Sequence, residues 1–487
     1  MKKKQTDIHS IERNIPPTIL TIFGATGDLT ADYLLPQFLH MHREGLLPKN
    51  FRLVAVGRRD FTAKQYLDFI IKKSAVLKKL SPKQKSAALK IITYFKGDFD
   101  DAKSFEPLAK LLSDADAPKH ICYNRLYYFA TSPQLFATIT RILQQSGLLM
   151  SCTTHDRKVR VLVEKPFGFN LASAKDLNKL LLKYFTEEQI YRIDHYQGKE
   201  TVQNLLVARF ANSLFEPLWS NTYIDHVEIS VLEQDTPAAR GQYYDEYGAL
   251  KDMLQNHILQ MLALATMDQP FEFTAEHIRN EKLKILKSLV PVTKDGAANE
   301  IVKGQYQGYS KDVGHDSKTE TFLAMKLFVN TPRWKGVPFY VRTGKALHKK
   351  LAEVSFHFKE PDRCIFRYCA PNVLTFRIQP DESVHVQINN KIPGFGIDLH
   401  QADLEFSYGK AFASEIPSAY ERLLLDFMEG DQRLFIRSDE IEASWKFVDS
   451  IVASWNSLPL AKYKPGSKGP EEAANFMIKD GREWWTK

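Results

Sequence analysis

The sequence has few cysteines, no long apolar run and no strong excess of one charge. Its 487 residues contain four cysteines, and none stands in a CxxC pair or at a zinc-finger spacing from histidine. We therefore expect no disulfide framework, no metal site and a reducing compartment. No uncharged stretch approaches the roughly 20 apolar residues of a membrane-spanning helix, and the first apolar run, Ile19–Phe23, is too short for a signal-peptide core. A cytoplasmic protein with no membrane partner is the simplest expectation.

The charge balance is mildly basic rather than extreme. Lys and Arg number 66 against 58 Asp and Glu, a formal net charge of +8, which suits an anionic small molecule as well as nucleic acid. The lysine-rich segment 72–90 predicts an exposed helix, with Pro82 near a turn. It lacks the interleaved aromatic residues on which single-stranded nucleic acids stack, so we expect no nucleic-acid partner.

The first half of the chain alternates strand-like apolar runs with longer amphipathic segments. This pattern is typical of strands joined by crossover helices, and it predicts a Rossmann-type, doubly wound parallel sheet in an α/β domain. The predicted strands are 18–23, 52–56, 124–130 and 159–164, with a helix over 32–42.

From about residue 223 the chain changes to longer runs of alternating apolar and polar residues. Such runs predict a larger α+β domain with a mainly antiparallel sheet. We expect one domain over residues 1–192 and a second over residues 193–487, packed tightly with a cleft between them. The predicted later strands are 223–231, 324–329, 354–358, 373–379 and 384–388, and the predicted helices are 247–267, 416–427 and 439–455.

A glycine-bearing turn directly follows the first predicted strand. Glycines in such a turn let backbone amides approach a pyrophosphate, and the helix N-terminus adds favourable positive potential. The turn is not a full GxGxxG fingerprint, so an ordinary strand-to-helix turn is the alternative. The candidate cofactor-binding residues are Gly24, Thr26, Gly27, Asp28 and Leu29.

The second predicted strand ends in Gly57-Arg58-Arg59. No acidic residue stands there to bind the ribose of NAD, whereas an arginine can pair with the 2′-phosphate of NADP. The sequence therefore favours NADP over NAD, with Arg58 the first candidate and Arg59 the second.

Lys165 follows the last strand of the first half, in the segment Glu164-Lys165-Pro166. An α/β sheet presents ligands at the carboxyl ends of its strands, so this lysine could contact both cofactor and substrate. A cis bond before the proline could fix its direction. An exposed lysine in a strand-ending turn is the alternative.

A second polar segment, Arg192–Glu200, combines donors suited to a phosphate with a carboxylate that could orient an imidazole. A polar surface loop is the alternative on composition alone. The candidate residues in this segment are Asp194, His195, Tyr196 and Lys199.

His257 lies on a predicted helix, on the same stripe as Leu254, Ile258 and Met261. A buried structural histidine is therefore the alternative to a catalytic one. The functional interpretation depends on the combination, because a cofactor turn, a positioned lysine, a phosphate-binding cluster and a histidine together form an alcohol-oxidising site.

Taken together, these segments resemble the glucose-6-phosphate dehydrogenase family. RIDHYQGKE differs from the family signature RIDHYLGKE only at Gln197, and blocks that match the family in order run from about residue 18 to 477. The other similar segments are GATGDLT, EKPFG, YYDEYGALKDMLQNHILQ, VPFYVRTGKAL, YERLLLDFMEGDQRLFIRSDEIEASW and GSKGP.

The resemblance implies oxidation of β-D-glucose 6-phosphate at C1 to 6-phosphoglucono-δ-lactone, with hydride transfer to NADP. This reaction is the first step of the oxidative pentose phosphate pathway. By the same resemblance, His257 is the general base and Asp194 holds its imidazole, a division suited to proton removal near neutral pH. A homodimer or homotetramer is also implied.

The family pattern assigns the remaining positions to substrate binding. It implies that His195, Tyr196 and Lys199 bind the phosphate and that Lys165 bridges sugar and cofactor. Glu233 and Asp252 would accept hydrogen bonds from sugar hydroxyls, with Lys345 completing the pocket. Some members have a second, structural NADP site, but Leu351 and Ser355 stand at positions that are basic there, so we expect none here.

Two other functions fit parts of this pattern. A sugar oxidoreductase of the glucose-fructose oxidoreductase type also combines a nucleotide fold with an EKP lysine, and it need not recognise phosphate. A catalytically silent metabolite-binding protein is the alternative from a different class. The presence of both Asp194 and His257 argues against the silent protein.

Overall fold

The computed structural model describes residues 15–116, 122–149, 158–237, 241–412 and 416–486. These residues form two compact units. The main division falls between Gly198 and Lys199, and the predicted domain ranges, divided at 192/193, stay a prediction. The first unit contains the described parts of 1–168, 175–198 and 417–438, and the second those of 169–174, 199–416 and 439–487.

The first unit contains a six-stranded sheet whose strand order is β3-β2-β1-β4-β5-β6. All its pairings are parallel, which confirms the Rossmann-type prediction. From β1 the chain builds the sheet first toward β3 and then, from β4, in the opposite direction toward β6. Such a switch point lies between β1 and β4, and sheets of this type bind ligands beside the carboxyl ends of the strands there. The strands are β1 (Thr18–Phe23), β2 (Phe51–Gly57), β3 (Ile92–Lys96), β4 (Asn124–Phe129), β5 (Val159–Val163) and β6 (Ile190–Arg192).

The helices that precede residue 199 connect these strands. The predicted helix 72–90 is interrupted, because α2 ends at Lys73 and α3 begins at Pro82, where the ring fits the first turn of a helix. The helices are α1 (Leu35–Arg43), α2 (Ala63–Lys73), α3 (Pro82–Ile91), α4 (Glu106–Asp116), α5 (Phe136–Gln145) and α6 (Leu171–Leu182).

The second unit contains a nine-stranded sheet with the order β14-β13-β12-β11-β7-β10-β9-β8-β15. It is mainly antiparallel, as predicted, and among its described strands the pairs β7–β10 and β8–β15 are parallel. The strands are β7 (Ile224–Leu232), β8 (Ile301–Tyr306), β9 (Phe322–Phe328), β10 (Pro338–Gly344), β11 (Leu351–Phe358), β12 (Val373–Gln379), β13 (Ser383–Lys391), β14 (Leu399–Ser407) and β15 (Leu460–Tyr463).

The predicted helix 247–267 is interrupted at Gly248, where a φ of +63° and a ψ of −179° form a kink, and the part after Gly248 is not a single α-helix. Its middle part, Leu250–Ile258, is a π-helix, which lies between α8 and α9. The later helices are α7 (Glu200–Phe210), α8 (Gly241–Ala249), α9 (Leu259–Thr266), α10 (Ala275–Lys287), α11 (Lys294–Glu300), α12 (Tyr309–Val313), α13 (Tyr408–Ala411), α14 (Ala419–Glu429), α15 (Ser438–Trp455) and α16 (Glu471–Ile478).

The expectation of no disulfide is wrong. Cys364 and Cys369 form a disulfide within the exposed segment between β11 and β12, where the chain brings their Cα atoms to 5.8 Å. This separation lies in the usual range for a disulfide, although the five-residue spacing matches no common motif. Cys152 lies outside the described residues. None of the helices in the described ranges is long and apolar enough to cross a membrane.

Candidate active site

The glycine-bearing turn leaves β1 at the switch point of the first sheet. Gly24 has a φ of +89°, and a Cβ atom on it would lie 2.4 Å from the carbonyl oxygen of Ala130. Only glycine fits this position, because a side chain would collide with the end of the neighbouring strand. The amide of Gly27 donates to the carbonyl of Gly24 at 3.0 Å, which closes the turn just before the helix that begins at Thr30.

Side chains from α2 hold this turn in place. Nζ of Lys73 lies 2.6 Å from Oδ1 of Asp28 and donates to the carbonyl of Thr26 at 3.0 Å. The hydroxyl of Tyr66 donates to the carbonyl of Ala25 at 3.0 Å. The turn is therefore fixed before any ligand arrives, and Lys73 is a supporting residue that no sequence motif identifies.

The two arginines after β2 have different surroundings. The guanidinium of Arg59 lies over the ring of Phe69, with Cζ 4.5 Å from its centroid. Arg58 is exposed, and no hydrogen bond or ion pair of its side chain occurs within the described residues. Both arginines are exposed, and the assignment of the 2′-phosphate to Arg58 stays a prediction.

Lys165 follows β5, and its bond to Pro166 is cis, as the sequence analysis considered. The preceding Glu164 lies in a group of tyrosines. Its Oε1 accepts from the hydroxyl of Tyr128 at 2.5 Å and from the hydroxyl of Tyr420 at 3.4 Å. Lys165 therefore stands beside a carboxylate that is itself fixed by hydrogen bonds.

Asp194, His195 and Tyr196 follow β6 in a tight turn. Asp194 is buried, and its Oδ1 accepts from the backbone amide of Tyr196 at 3.0 Å. Gly198 packs so closely that a Cβ atom on it would lie 2.6 Å from the carbonyl of Ala419. The glycine of the RIDHYQGKE segment is thus required by contact with the returning chain.

Tyr420, on the returning helix α14, is a residue that the sequence analysis missed. Its ring lies parallel to that of His195, with centroids 6.3 Å apart and an interplanar angle of 6°. It also contacts Glu164 and the ring of Tyr33. The contact between Tyr420 and His195 could not be predicted, because Tyr420 stands 225 positions after His195 and its segment has no phosphate-binding motif.

In the second unit, β7 and β10 run parallel and end at the same edge of the sheet. Glu233 follows β7 and Lys345 follows β10, and their side chains form an ion pair. Nζ of Lys345 lies 5.4 Å from the ring centroid of Tyr244. Two predicted substrate residues are therefore brought together, and Tyr244 is a neighbour that the sequence analysis missed.

Asp252 and His257 both lie in the π-helix Leu250–Ile258, and both are buried. The wider turn of a π-helix changes which residues share a face, so the stripe predicted for an α-helix does not describe His257. Burial strongly raises the pKa of the Tyr244 hydroxyl, and the nearby Asp252 carboxylate adds to this shift. Asp252 thus belongs to the same electrostatic group as Tyr244, Glu233 and Lys345.

Lys199 stands at the N-terminus of α7 and lies elsewhere in the second unit. Its Nζ donates to Oε1 of Gln379 at 3.0 Å. Burial lowers the pKa of Lys199, against the opposing effect of the Glu382 carboxylate, while Lys350 adds to the lowering. A half-buried cation beside a second lysine is suited to an anionic group such as a phosphate.

Comparisons with known proteins point to one family. The model described as "Glucose-6-phosphate dehydrogenase, NAD binding domain" matches residues 21–204, and that described as "Glucose-6-phosphate dehydrogenase, C-terminal domain" matches residues 206–485. Glucose-6-phosphate 1-dehydrogenase of Borreliella burgdorferi is 40% identical over 98% of this chain and 99% of its own. The enzyme of the same name from Bacillus subtilis is 38% identical over 96% and 98%.

Solved structures give the same result. A glucose-6-phosphate dehydrogenase in complex with its substrate glucose-6-phosphate has a TM-score of 0.88 and 30% identity, and the match covers 97% of this chain and 99% of that one. Glucose-6-phosphate 1-dehydrogenase from Mycobacterium avium has a TM-score of 0.85 and 32% identity, over 97% and 98%.

Proposed function

Because the chain belongs to the glucose-6-phosphate dehydrogenase family, we propose that it oxidises β-D-glucose 6-phosphate at C1. The product is 6-phosphoglucono-δ-lactone, and the hydride acceptor is NADP. The observation that carries this proposal is the match of family models to residues 21–485 with only one position between them. A glucose-fructose oxidoreductase-like enzyme or a silent binding protein would not account for so complete a match.

His257 is the proposed general base. As the C1–H bond breaks, its electron pair leaves with the hydride, and the C1 hydroxyl proton passes to an imidazole nitrogen of His257. Asp194 is proposed to stabilise the imidazolium that forms, and its place in the turn is fixed by the amide of Tyr196. Buried groups supply this electrostatic stabilisation at little cost in reorganisation.

The proposed substrate contacts divide between the two ends of the sugar phosphate. His195, Tyr196 and Lys199 bind the phosphate, which supplies binding energy remote from the reacting carbon. Glu233, Asp252 and Lys345 hold the sugar hydroxyls, and the ion pair between Glu233 and Lys345 fixes two of these groups before substrate arrives. Lys165 contacts both the sugar and the cofactor.

The residues at the first sheet suit NADP. The Gly24–Leu29 turn would hold the pyrophosphate at a helix N-terminus, and the exposed guanidinium of Arg58 would hold the 2′-phosphate. When bound, NADP supplies the acceptor for the hydride. The chain's own residues position that acceptor and discriminate it from NAD.

We also propose that the protein is a cytoplasmic homodimer or homotetramer of the oxidative pentose phosphate pathway. The observation that supports the oligomer is an exposed apolar face on β14, the strand at one edge of the second sheet. Leu404 is 57% exposed and Phe406 is 41% exposed, and they share one face of β14. An apolar face on an edge strand is typical of a surface that another copy covers.

An isotope experiment tests the chemical step directly. Glucose 6-phosphate deuterated at C1 should give NADPH that carries the deuterium, since the hydride comes from that carbon. Substrate deuterated at C2 should give unlabelled NADPH. Label transfer from any other carbon would contradict oxidation at C1, and turnover of free glucose but not of its 6-phosphate would favour the alternative sugar oxidoreductase.

A further inference from the structure

A buried cluster of two histidines and a glutamate lies on the second sheet. His226 and Glu228 are two residues apart on β7, so they share one face of the strand. His357 on β11 pairs directly with His226. The two imidazole rings stack with centroids 4.0 Å apart and an interplanar angle of 12°. The strand pairing therefore fixes all three side chains at one place.

Three polar atoms of this cluster are buried without a hydrogen-bond partner among the described residues. They are Nε2 of His226, Oε1 of Glu228 and Nε2 of His357. Oε1 of Glu228 lies 3.5 Å from Nε2 of His226 and 3.3 Å from Nε2 of His357. Burying three polar atoms without hydrogen bonds costs free energy unless a bound group interacts with all three. Buried polar groups in proteins nearly always have such a partner.

The spacing of these atoms matches the ligand set of a transition metal. Zinc binds imidazole nitrogen and carboxylate oxygen at about 2.0–2.2 Å, so two ligand atoms at a tetrahedral angle lie roughly 3.3–3.5 Å apart. All three atoms lie within 4.8 Å of one another. Three protein ligands would leave one coordination position open.

The neighbours of the cluster resemble the outer shell of a metal site. Nδ1 of His226 lies 2.7 Å from Oδ2 of Asp225, an arrangement that orients metal-binding imidazoles in proteins. The backbone amide of Trp485 donates to Oε2 of Glu228 at 2.9 Å, which leaves Oε1 for a metal.

Two arginines also stand near the cluster, and hydrogen bonds hold each of them. Arg482 forms a bidentate ion pair with Asp225 and also lies 3.2 Å from Nδ1 of His226. Arg342 donates to Oγ of Ser230 at 2.8 Å and to the main-chain carbonyl of Trp485 at 3.0 Å. Asp225 thus offsets the charge of Arg482, and these two donors of Arg342 bind oxygens other than those of Glu228.

We propose that His226, Glu228 and His357 form a binding site for one divalent transition-metal ion, and that this ion is zinc. The expectation of no metal site rested on the spacing of the cysteines, and it could not reveal this cluster, because His357 is 131 positions from His226 and the pairing of β11 with β7 brings them together. A bound ion would join β7 to β11 and, through Glu228, to the C-terminal segment at Trp485.

Metal binding to the purified full-length chain tests this site. After dialysis against a chelator, the protein should bind one equivalent of Zn²⁺, and Co²⁺ should give the intense visible absorption of a four-coordinate ion. His357→Asn should abolish both signals. Asp225→Asn should weaken binding by about 10–100-fold, as loss of an outer-shell carboxylate does at other metal sites.

His277→Asn is the matched control, because His277 is a partly exposed histidine of the same unit on α10. This variant should bind zinc and cobalt like the wild type. Glu228→Gln, nearly the same size as the native residue, provides a second ligand deletion if His357→Asn does not fold. Equal binding by the wild type and a folded ligand variant, or no binding by the wild type, would overturn the proposal and leave a hydrogen-bonded histidine–glutamate cluster.

Discussion

The carboxylate of Glu320 accepts the backbone N–H of Leu250 at 2.9 Å, at the first residue of the π-helix that carries Asp252 and His257. The main-chain carbonyl of Glu320 accepts the N–H of Ala249 at 3.1 Å. One residue thus binds two amides that begin this helix, which also suits the positive end of its dipole. Gly248 permits the approach, because a Cβ atom there would lie 2.3 Å from Oε1 of Glu320.

Glu320 should make stability depend on pH. Burial raises its pKa to about 7, whereas an unperturbed glutamate has 4.5. Between these values the folded chain binds more protons than the unfolded chain, so this contribution is complete below pH 4.5 and is lost as pH rises through 7. The contribution of Glu320 to the free energy of unfolding is at most about 3 kcal/mol. Glu320→Gln should reduce the loss of the free energy of unfolding between pH 5 and pH 8, measured by urea unfolding.

Glu276→Gln is the control for this experiment, since Glu276 is exposed on α10 of the same unit. It should leave the pH dependence of the wild type unchanged. If Glu320→Gln behaves like Glu276→Gln, the carboxylate of Glu320 does not titrate as its burial requires.

Replacement of His257 by asparagine should lower kcat by about 10²–10⁴-fold, the usual contribution of a general base. The KM for glucose 6-phosphate should change little, because the base acts mainly in the transition state. Steady-state kinetics measure both constants, and NADP affinity checks that the variant is folded. Near-normal turnover would remove His257 from this role.

Arg58→Ala should raise the KM for NADP by roughly 10–100-fold, which corresponds to loss of a hydrogen bond to a charged phosphate. The KM for NAD, which lacks the 2′-phosphate, should hardly change. Arg59→Ala is the matched control, because its guanidinium packs on Phe69. A larger effect from Arg59→Ala would reassign the 2′-phosphate to Arg59.

Leu404→Glu should shift the oligomer toward monomer. A buried carboxylate at the exposed apolar face of β14 would oppose contact with a second copy. Light scattering during size-exclusion chromatography measures the mass of each variant. Lys410→Glu, with its exposed side chain on α13, is the charge-changing control. An unchanged oligomer with Leu404→Glu would place the interface on another surface.

Local patterns in the sequence were enough to predict the first sheet and the type of the second. The run Thr18–Phe23 has four apolar residues among six and is buried throughout because β1 lies between β2 and β4, and this apolar pattern can be recognised without distant information. The turn at Gly24 could be predicted for the same reason, whereas the role of Arg58 stays a prediction.

Contacts between distant parts of the chain could not be predicted in this way. Tyr420 stacks on His195 from a segment that returns to the first unit, and Glu320 caps a helix from 70 positions away. The π-helix also lay beyond prediction, because its residues fit an α-helical pattern equally well. Such features depend on packing that no local periodicity records.

The most direct test of the central claim is the initial rate of NADPH formation by the purified protein. With NADP present, we expect rapid formation of NADPH with glucose 6-phosphate and a far lower rate with free glucose at the same concentration. A protein that binds NADP but forms no NADPH with glucose 6-phosphate, or that prefers free glucose, would contradict the account.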